Sequence, residues 1–450
     1  MNVNGLLFIS CFLPTVFLLH TLLSGYKLKN SLLLIAGLAF CAFGSLSGVM
    51  LLVVIAVLNY IFGRQIIAGN HRKLFCVSAV AIDLAFLGFF KYLNFLLAQL
   101  LRLPAVELGI AVPLGISFYT FKCISYIIDI YRDREQGTGN FSEFLLYVSF
   151  FPQITAGPIS RFPQFRSQIN ERKYHLQQCA LGFRRFVIGL GKQVIISGTL
   201  AKLVDEIFAL PSGALNIPVA WIGAIAYMLQ IYIDFSGYSD MAIGLGQIFG
   251  FVSPENFNYP YMATSITDFW RRWHLSLSTW FKDYLYIPLG GNRKGKLRTV
   301  LNKCIVFLFC GIWHGAAWNF VIWGLWHGLF SALESGRVIR TKQGVLSRLY
   351  TLLVVCLGFV MFRSASVEQG FQMILAMFGG APLAVNGFKS LLSVEALVML
   401  ALAALLSIPL IPRLKKFPKW LMWCGCVLLF VLCLLRLASS GFTPFIYAQF

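Results

Sequence analysis

The chain has 450 residues, of which 58% are hydrophobic and only 12% are charged. This composition excludes an ordinary soluble globular protein and predicts an integral membrane protein, because a bilayer core of about 30 Å needs about 20 apolar residues per helix. The net charge is +20. We interpret the excess Lys and Arg residues as part of short cytoplasmic loops between the apolar runs, and not as a nucleic-acid-binding site.

The apolar runs predict an all-α integral membrane protein with about eleven transmembrane helices plus re-entrant and interfacial helices. We expect one polytopic domain over residues 1–450. Residues 5–23 are expected to form a retained helix rather than a signal peptide, since no basic region precedes them and no small-residue cleavage site follows before Lys27. The 11 Cys lack metal-ligand spacing, so we expect buried thiols and no metal site.

Two features in the first part of the chain interrupt its simple apolar pattern. Asp83 lies in an apolar run, and we expect it to pair with a neighbouring helix, while a catalytic role stays open.

Residues 150–161 contain Pro152, Gly157 and Pro158, which cannot belong to one continuous helix. Because broken backbone at membrane depth survives only when it is buried or lines a cavity, we predict a re-entrant or interfacial element near the site.

The next segments alternate between charged and apolar residues. Residues 166–202 are amphipathic, and this pattern predicts an interfacial helix on the cytoplasmic side. The following segment, MLQIYIDFSGYSDMAIGLG, carries Asp234 and Asp240 in an apolar setting. Two carboxylates at this spacing could form an acid/base pair, but we favour a structural role for them at helix ends near the glycines.

The segment ITDFWRRWHLSLSTWFKDYLYIPLGGN is predicted to begin with one amphipathic helix. On it, Trp270, Trp273, Leu277 and Trp280 would form an apolar stripe. The neighbouring stripe would align Arg271, His274 and Ser278. This pattern would place a cation, an imidazole and a hydroxyl along one line of the helix.

The segment GIWHGAAWNFVIWGLWHG, residues 311–328, places His314 and His327 in an apolar, Trp-rich setting. Ionisable groups at membrane depth are costly, and each is a functional hypothesis by default. On one continuous helix the two residues would be separated by about 20 Å, so their rings could not meet. We therefore expect His314 to find its partner on another segment, with His274 as the best candidate. For His327, hydrogen-bonded packing and a functional role stay open.

The chain ends in ASSGFTPFIYAQF, and residues 438–450 are expected to form an outer-side tail with an FxYxxF motif. The orientation follows from the basic segment RLKKFPK, which should be cytoplasmic and is followed by one apolar span. An aromatic anchor at the membrane interface is the simpler interpretation of this tail.

Several segments together resemble the membrane-bound O-acyltransferase family, in particular its bacterial alginate O-acetylase-like branch. They are FFKYLNF, VPLGISFYTFKCISYIIDIYR, FFPQITAGPISRF, IDFSGYSDMAIGLG, ITDFWRRWHLSLSTWFKDYLYIPLGGNRKG and GIWHGAAWNFVIWGLWHG. The resemblance implies a ring of transmembrane helices around a central funnel. It also implies that His314 is the principal catalytic residue, that His274 is the second, and that Tyr447 receives the acyl group.

The implied activity is O-acetylation of an extracytoplasmic polysaccharide, such as alginate or another exopolysaccharide, from a bacterial inner membrane. Acetyl-CoA would be the donor, with no bound cofactor and no metal. The expected partners are a periplasmic or extracellular SGNH-type acetyltransferase, the polysaccharide acceptor indirectly, and the lipid bilayer. Further supporting or donor- and acceptor-binding residues are expected to be Arg271, Ser278, Asn319, Trp313, His327 and Asp234.

Two alternatives remain at this stage. A D-alanyl group could be passed from a carrier protein to teichoic acid, since relatives of the same family do this. From another class, a proton-coupled transporter could use the histidines as a relay, although we see no inverted repeat in the sequence. The soluble signatures HxxxD and GxSxG are not found in the sequence, which fits acyl transfer without a serine nucleophile in this chain.

Overall fold

The structure is a computed structural model that describes residues 2–69, 71–99, 112–172, 174–379, 392–410 and 418–439. Within these ranges every regular element is a helix, which confirms the all-α prediction. The predicted tail motif with Tyr447 lies outside the described residues, as does most of the basic segment that precedes the last helix.

Seven helices in the described ranges are long and apolar enough to cross a bilayer by length and composition. They are Leu46–Ala68, Arg72–Ala98, Leu176–Phe208, Ile217–Ile248, Lys296–His314, Val345–Arg363 and Lys419–Ser439. Phe8–Leu22 and Val394–Leu406 are shorter apolar helices. This number is below the predicted eleven because several apolar runs form helices too short to span. Leu176–Phe208 also differs from the predicted interfacial helix, since its apolar residues form one helical run of 33 residues.

The chain divides into two compact units, and the first comprises Met1–Val187 and Ser239–Glu255. Helices α3, α4 and α5 of this unit pack against one another. Between them Asn59 Nδ2 donates to Asp83 Oδ1 at 2.7 Å, which confirms the expected pairing of Asp83 with a neighbouring helix. The helices are α1 (Leu13–Leu22), α2 (Tyr26–Ala42), α3 (Leu46–Ala68), α4 (Arg72–Gln99), α5 (Ile116–Arg132), α6 (Phe141–Ser149), α7 (Phe162–Ile169) and the start of α8 (Leu176–Gly191).

Residues 150–160 of the first unit are irregular and almost entirely buried, as their Pro and Gly content predicts. Lys122 Nζ donates to the carbonyl of Tyr147 at 3.0 Å and to Gln153 Oε1 at 3.1 Å. The Gln153 amide in turn donates to Ser160 and Ser253 at 2.8 and 2.9 Å. The Tyr147 hydroxyl donates to the Ser160 carbonyl at 2.9 Å, so side chains hold this irregular segment in place and satisfy part of its backbone.

The second unit comprises Ile188–Tyr238 and Asn256–Phe450. Its helices are α9 (Gly198–Phe208), α10 (Ile217–Ile248, which continues into the first unit), α11 (Ile266–Trp270), α12 (Leu275–Phe281), α13 (Lys296–His314), α14 (Trp318–Ser335), α15 (Val345–Arg363), α16 (Val367–Phe378), α17 (Val394–Leu406) and α18 (Lys419–Ser439). Because α10 runs unbroken past Asp234 and Asp240, neither residue ends a helix at a glycine, and the expected helix-end role is wrong. Asp240 instead pairs with Arg185 at 2.9 Å within the first unit.

Helices α13 and α14 form an antiparallel hairpin, so the single helix considered for residues 311–328 is wrong. Helix α13 ends at His314, and the chain reverses over residues 315–317. The two backbones approach closely where Gly311 faces Gly324, since a Cβ added to Gly311 would lie 3.2 Å from the Gly324 Cα. Small residues allow this close helix crossing, and it places the end of α13 beside the start of α14.

The predicted amphipathic helix that begins at residue 266 is also interrupted. It forms two short helices, α11 and α12, which are separated by residues 271–274. Consequently Arg271, His274 and Ser278 do not lie along one line of a helix, and that prediction is wrong. The break is made at His274, which adopts φ 42° and ψ 56°.

Candidate active site

His274 occupies the break between α11 and α12 in a left-handed backbone conformation, with φ 42°. A residue with a Cβ pays roughly 1–3 kcal/mol for sparsely populated backbone geometry, which persists only where surrounding structure imposes it and is frequent at functional sites. The side chain is fully buried, and its ring meets that of Phe235 edge-on at 4.6 Å between centroids. The backbone thus turns the imidazole into the interior of the second unit.

Asn256 holds the residues that follow His274. Its carbonyl accepts from the Leu275 amide at 3.0 Å, and its Oδ1 accepts from both the amide and the hydroxyl of Ser276, at 3.1 and 2.8 Å. These bonds satisfy amides at the start of α12, as a capping side chain does. On the other side of the break, the Asn258 amide donates to the Arg272 carbonyl at 2.9 Å.

Glu334, near the end of α14, fixes the start of α11. Its carboxylate accepts from the amides of Ile266 and Thr267 at 2.6 and 3.0 Å and from the Thr267 hydroxyl at 2.8 Å. Charge-assisted bonds of this kind are stronger than neutral ones. The element that carries His274 is therefore attached at one end to α14 and at the other to Asn256.

His314 lies at the last position of α13 and is 3% exposed. Its Nδ1 lies 2.7 Å from the carbonyl oxygen of Cys310. Because a carbonyl can only accept, Nδ1 carries the proton of the neutral ring and Nε2 carries the lone pair. The hydrogen bond therefore prepares His314 to accept a proton at Nε2.

Aromatic rings surround the His314 imidazole. Trp323 and Phe362 lie at 4.8 and 5.5 Å from it between centroids, and Trp313 at 5.0 Å. Trp313 is also 6.4 Å from the ring of His274, so the two imidazoles share one indole neighbour. Such a wall excludes water and strengthens electrostatic interactions inside the site.

The charge states of the two histidines are linked. His274 lies outside the seven candidate spans, and burial lowers its pKa well below the usual value of 6.5, with a further lowering from charge on His314. His274 is therefore neutral at physiological pH. A neutral imidazole offers one N–H donor and one acceptor, which is suited to binding a carbonyl oxygen without carrying charge.

The hairpin brings His314 and His327 against the same indole, Trp323, at 4.8 and 5.3 Å between centroids. The prediction that the two histidines are widely separated is therefore wrong. Trp270 Nε1 donates to His327 Nδ1 at 3.4 Å, and the two rings are perpendicular. These contacts match hydrogen-bonded packing, one of the two interpretations left open for His327.

The remaining predicted site residues lie in different surroundings. Ser278 donates its hydroxyl to the Trp273 carbonyl at 3.2 Å, and Arg271 is exposed, whereas His274 is fully buried. Asn319 donates from Nδ2 to the Ser364 carbonyl at 2.9 Å. Asp234 is buried on α10, immediately before the phenylalanine that contacts His274.

Several buried polar atoms around the two histidines have no hydrogen-bond partner within the described part of the chain. They are both ring nitrogens of His274, Nδ2 of Asn256, Nε1 of Trp323, Nε2 of His327 and Oδ1 of Asn319. Roughly nine in ten buried polar groups in proteins do have a partner. A cluster of buried polar atoms without a partner, beside the His314 imidazole, is therefore typical of a site that binds a polar ligand.

The sequence interpretation missed Asn256, Trp323 and Glu334. Asn256 and Glu334 act through the backbone of a segment distant in sequence, and such contacts leave no periodic pattern. Trp323 belongs to the Trp-rich segment GIWHGAAWNFVIWGLWHG, but its contact with both histidines depends on the hairpin.

Comparison with known proteins gives the class of the molecule. Residues 131–342 match the model of the membrane-bound O-acyltransferase family. The chain is 44% identical to the probable alginate O-acetylase AlgI of Pseudomonas aeruginosa over 385 residues, which cover 82% of this chain and 74% of that protein. It is 37% identical to the peptidoglycan O-acetyltransferase of Helicobacter pylori, over 84% of this chain and 79% of that one. Identity to the teichoic acid D-alanyltransferase of Streptococcus thermophilus is 31%, over 51% and 58%.

The apolar helices and the relatives together define a multi-pass membrane enzyme. The chain belongs to the membrane-bound O-acyltransferase family, and it is an O-acyltransferase.

Proposed function

We propose that this enzyme takes an acetyl group from acetyl-CoA on the cytoplasmic side and passes it across the bacterial inner membrane for O-acetylation of an extracytoplasmic polysaccharide. The single observation that carries the proposal is the hydrogen bond from His314 Nδ1 to the Cys310 carbonyl, which leaves Nε2 as a base. Two relatives whose names specify O-acetylation, of alginate and of peptidoglycan, support acetyl as the group transferred.

The chemistry proceeds by addition and elimination at the thioester. His314 Nε2 takes the proton of the incoming hydroxyl as its oxygen attacks the carbonyl carbon, and the carbonyl electron pair moves onto oxygen. The neutral His274 ring donates a hydrogen bond to that oxyanion. Collapse re-forms the carbonyl, breaks the C–S bond and releases the thiolate, which takes up the proton. The cation of Arg271 could also stabilise an oxyanion, but Arg271 is exposed, whereas His274 is fully buried.

The pKa values of the successive leaving groups favour a relay through Tyr447. A coenzyme A thiol is similar to a Cys thiol, with a pKa of about 8.5, and a tyrosine phenol has a pKa of about 10. An acyl group on the phenol thus remains activated towards a sugar hydroxyl. The acyl-tyrosine on the outer side would then deliver the acetyl group to a separate SGNH-type acetyltransferase and through it to the polysaccharide.

The test is peptide mass spectrometry of purified protein after incubation with acetyl-CoA. We expect an acetyl adduct on the C-terminal peptide, and we expect His314→Gln and Tyr447→Phe each to abolish it. His175→Gln is a matched control, because His175 is exposed in the first unit. Release of CoA without an adduct would refute the tyrosine relay.

Two further assays separate the alternatives, one with a D-alanyl carrier thioester as the donor and one of proton flux in vesicles. If acetyl-CoA is inert and a D-alanyl carrier thioester reacts, the teichoic-acid function of the more distant relative applies here as well. If no thioester reacts but proton flux persists in vesicles with Tyr447→Phe, the protein is a transporter and the acyl-transfer proposal fails.

A further inference from the structure

We propose that the side-chain amide of Asn256 is a second hydrogen-bond donor to the oxyanion, beside His274. This inference rests on the proposed acyl transfer and assigns a residue to that site that the sequence analysis did not. Asn256 is 1% exposed and belongs to the same unit as both histidines.

The orientation of the Asn256 amide is settled by its partners. The Ser276 backbone amide is a donor and lies 3.1 Å from one side-chain atom of Asn256. That atom must therefore be the oxygen, and the Ser276 hydroxyl bonds to the same oxygen at 2.8 Å. The other side-chain atom is consequently the nitrogen, with two N–H donors that take no part in the cap of α12.

Those two donors have no partner anywhere in the described ranges of the chain. Capping of α12 requires only an acceptor oxygen, which aspartate or serine would supply equally well. The cap therefore accounts for one half of the amide and leaves the buried NH₂ group unexplained. A buried donor without a partner is unfavourable unless a ligand uses it.

A backbone hydrogen bond holds Asn256 next to the segment that carries the buried His274 imidazole. The Asn256 carbonyl binds the amide of Leu275, the residue directly after His274, at 3.0 Å. The ring of Phe235 packs against His274 at 4.6 Å and against Phe257, which follows Asn256, at 5.1 Å. The backbone bond to Leu275 and the packing of Phe235 on both segments therefore bring Asn256 and His274 close together in the second unit, and both side chains are neutral donors.

Two neutral donors suit the charge that develops in acyl transfer. As the hydroxyl oxygen adds to the thioester carbon, the carbonyl oxygen gains the electron pair, and Asn256 and His274 each donate one hydrogen bond to it. Neither gives up its proton. When the C–S bond breaks and the carbonyl re-forms, both bonds weaken, so the stabilisation is specific to the tetrahedral state.

The decisive variant is Asn256→Asp, which keeps an oxygen to cap α12 and replaces the NH₂ group with an acceptor. We expect kcat for acetyl-CoA turnover to fall by about 10²–10³-fold, the effect of losing one oxyanion donor. The KM for the thioester should change by less than about threefold, since the ground-state carbonyl carries little charge. Ser276→Ala removes one hydrogen bond of the cap but leaves the amide in place, and it should retain wild-type kcat.

Asn256→Ser provides a neutral cap without the NH₂ group and is tested in parallel, because a buried carboxylate can impair folding. Melting temperatures in detergent identify which variants are folded. A folded Asn256→Asp or Asn256→Ser enzyme with wild-type kcat would overturn the inference, as would equal kcat losses in Ser276→Ala. If the wild-type enzyme turns over no thioester, the proposed function itself fails, which is a different result.

Discussion

The crossing of α13 and α14 at Gly324 predicts a large effect from a single methyl group. Gly324→Ala would place a Cβ 3.0 Å from the Gly311 Cα and still closer to the Phe307 carbonyl oxygen. Both neighbours are backbone atoms that cannot rotate away. The two helices must therefore separate.

The size of that separation follows from ordinary contact distances. Non-bonded heavy atoms approach to about 3.5 Å, so the helices must move apart by roughly 1 Å at this point. Overpacking of this kind costs about 1–3 kcal/mol. Trp323, next to Gly324 in sequence, lies 4.8 Å from the His314 ring, and a misplacement of about 1 Å in a catalytic site reduces the rate by about 10²-fold.

The assay is acetyl-CoA turnover by three alanine variants, together with their melting temperatures. Gly328→Ala meets the Phe307 Cβ at 3.1 Å and should show a smaller loss, while Gly425→Ala on α18 meets nothing within 4 Å and should behave as wild type. Gly324→Ala should lose about 10²-fold in kcat. Equal activity of Gly324→Ala and Gly425→Ala would refute the role of the close crossing in placing His314.

Three further predictions concern stability. Glu334→Ala removes three hydrogen bonds at the start of α11 and should destabilise the protein by about 2–4 kcal/mol, seen as a lower melting temperature, whereas Tyr350→Phe, which removes only a 3.4 Å contact to the same carboxylate, should have little effect. The fold holds the pKa of His274 below 6.5 and so favours the neutral ring. The melting temperature should therefore fall as the pH drops from about 7 to about 5. His274→Gln should reduce this dependence of melting temperature on pH, and an unchanged dependence would contradict the assignment of a neutral, buried His274. Arg172→Lys should lower the melting temperature, because lysine cannot keep the bonds to Phe249 O and Asn30 at 3.1 and 2.7 Å together with stacking on Phe251; a wild-type melting curve would contradict this.

The sequence predicted the features that depend on local composition. Apolar runs gave the helical membrane class, and Pro and Gly predicted the irregular backbone at residues 150–160. The buried setting of His314 followed from its apolar neighbours. These properties are determined by residues adjacent in the chain, so hydropathy and helix-breaking residues were sufficient.

The two helix breaks could not be predicted in the same way. The apolar period of 3.6 residues continues across His274, and the left-handed turn there is imposed by Asn256 and Glu334, which contact the flanking backbone from other segments. The turn after His314 contains no proline, and the two alanines that follow Gly315 favour a helix. The hairpin depends instead on the contact between Gly311 and Gly324, which exists only after folding.

The measurement that tests the central claim most directly is the rate of acetyl-CoA turnover by His314→Gln. If His314 is the general base, kcat should fall by about 10²–10⁴-fold while the melting temperature stays close to that of the wild type. His327→Gln, which alters the other histidine in contact with Trp323, should lose far less activity. Turnover by a folded His314→Gln enzyme within about tenfold of the wild type, below the usual contribution of a general base, would contradict the account.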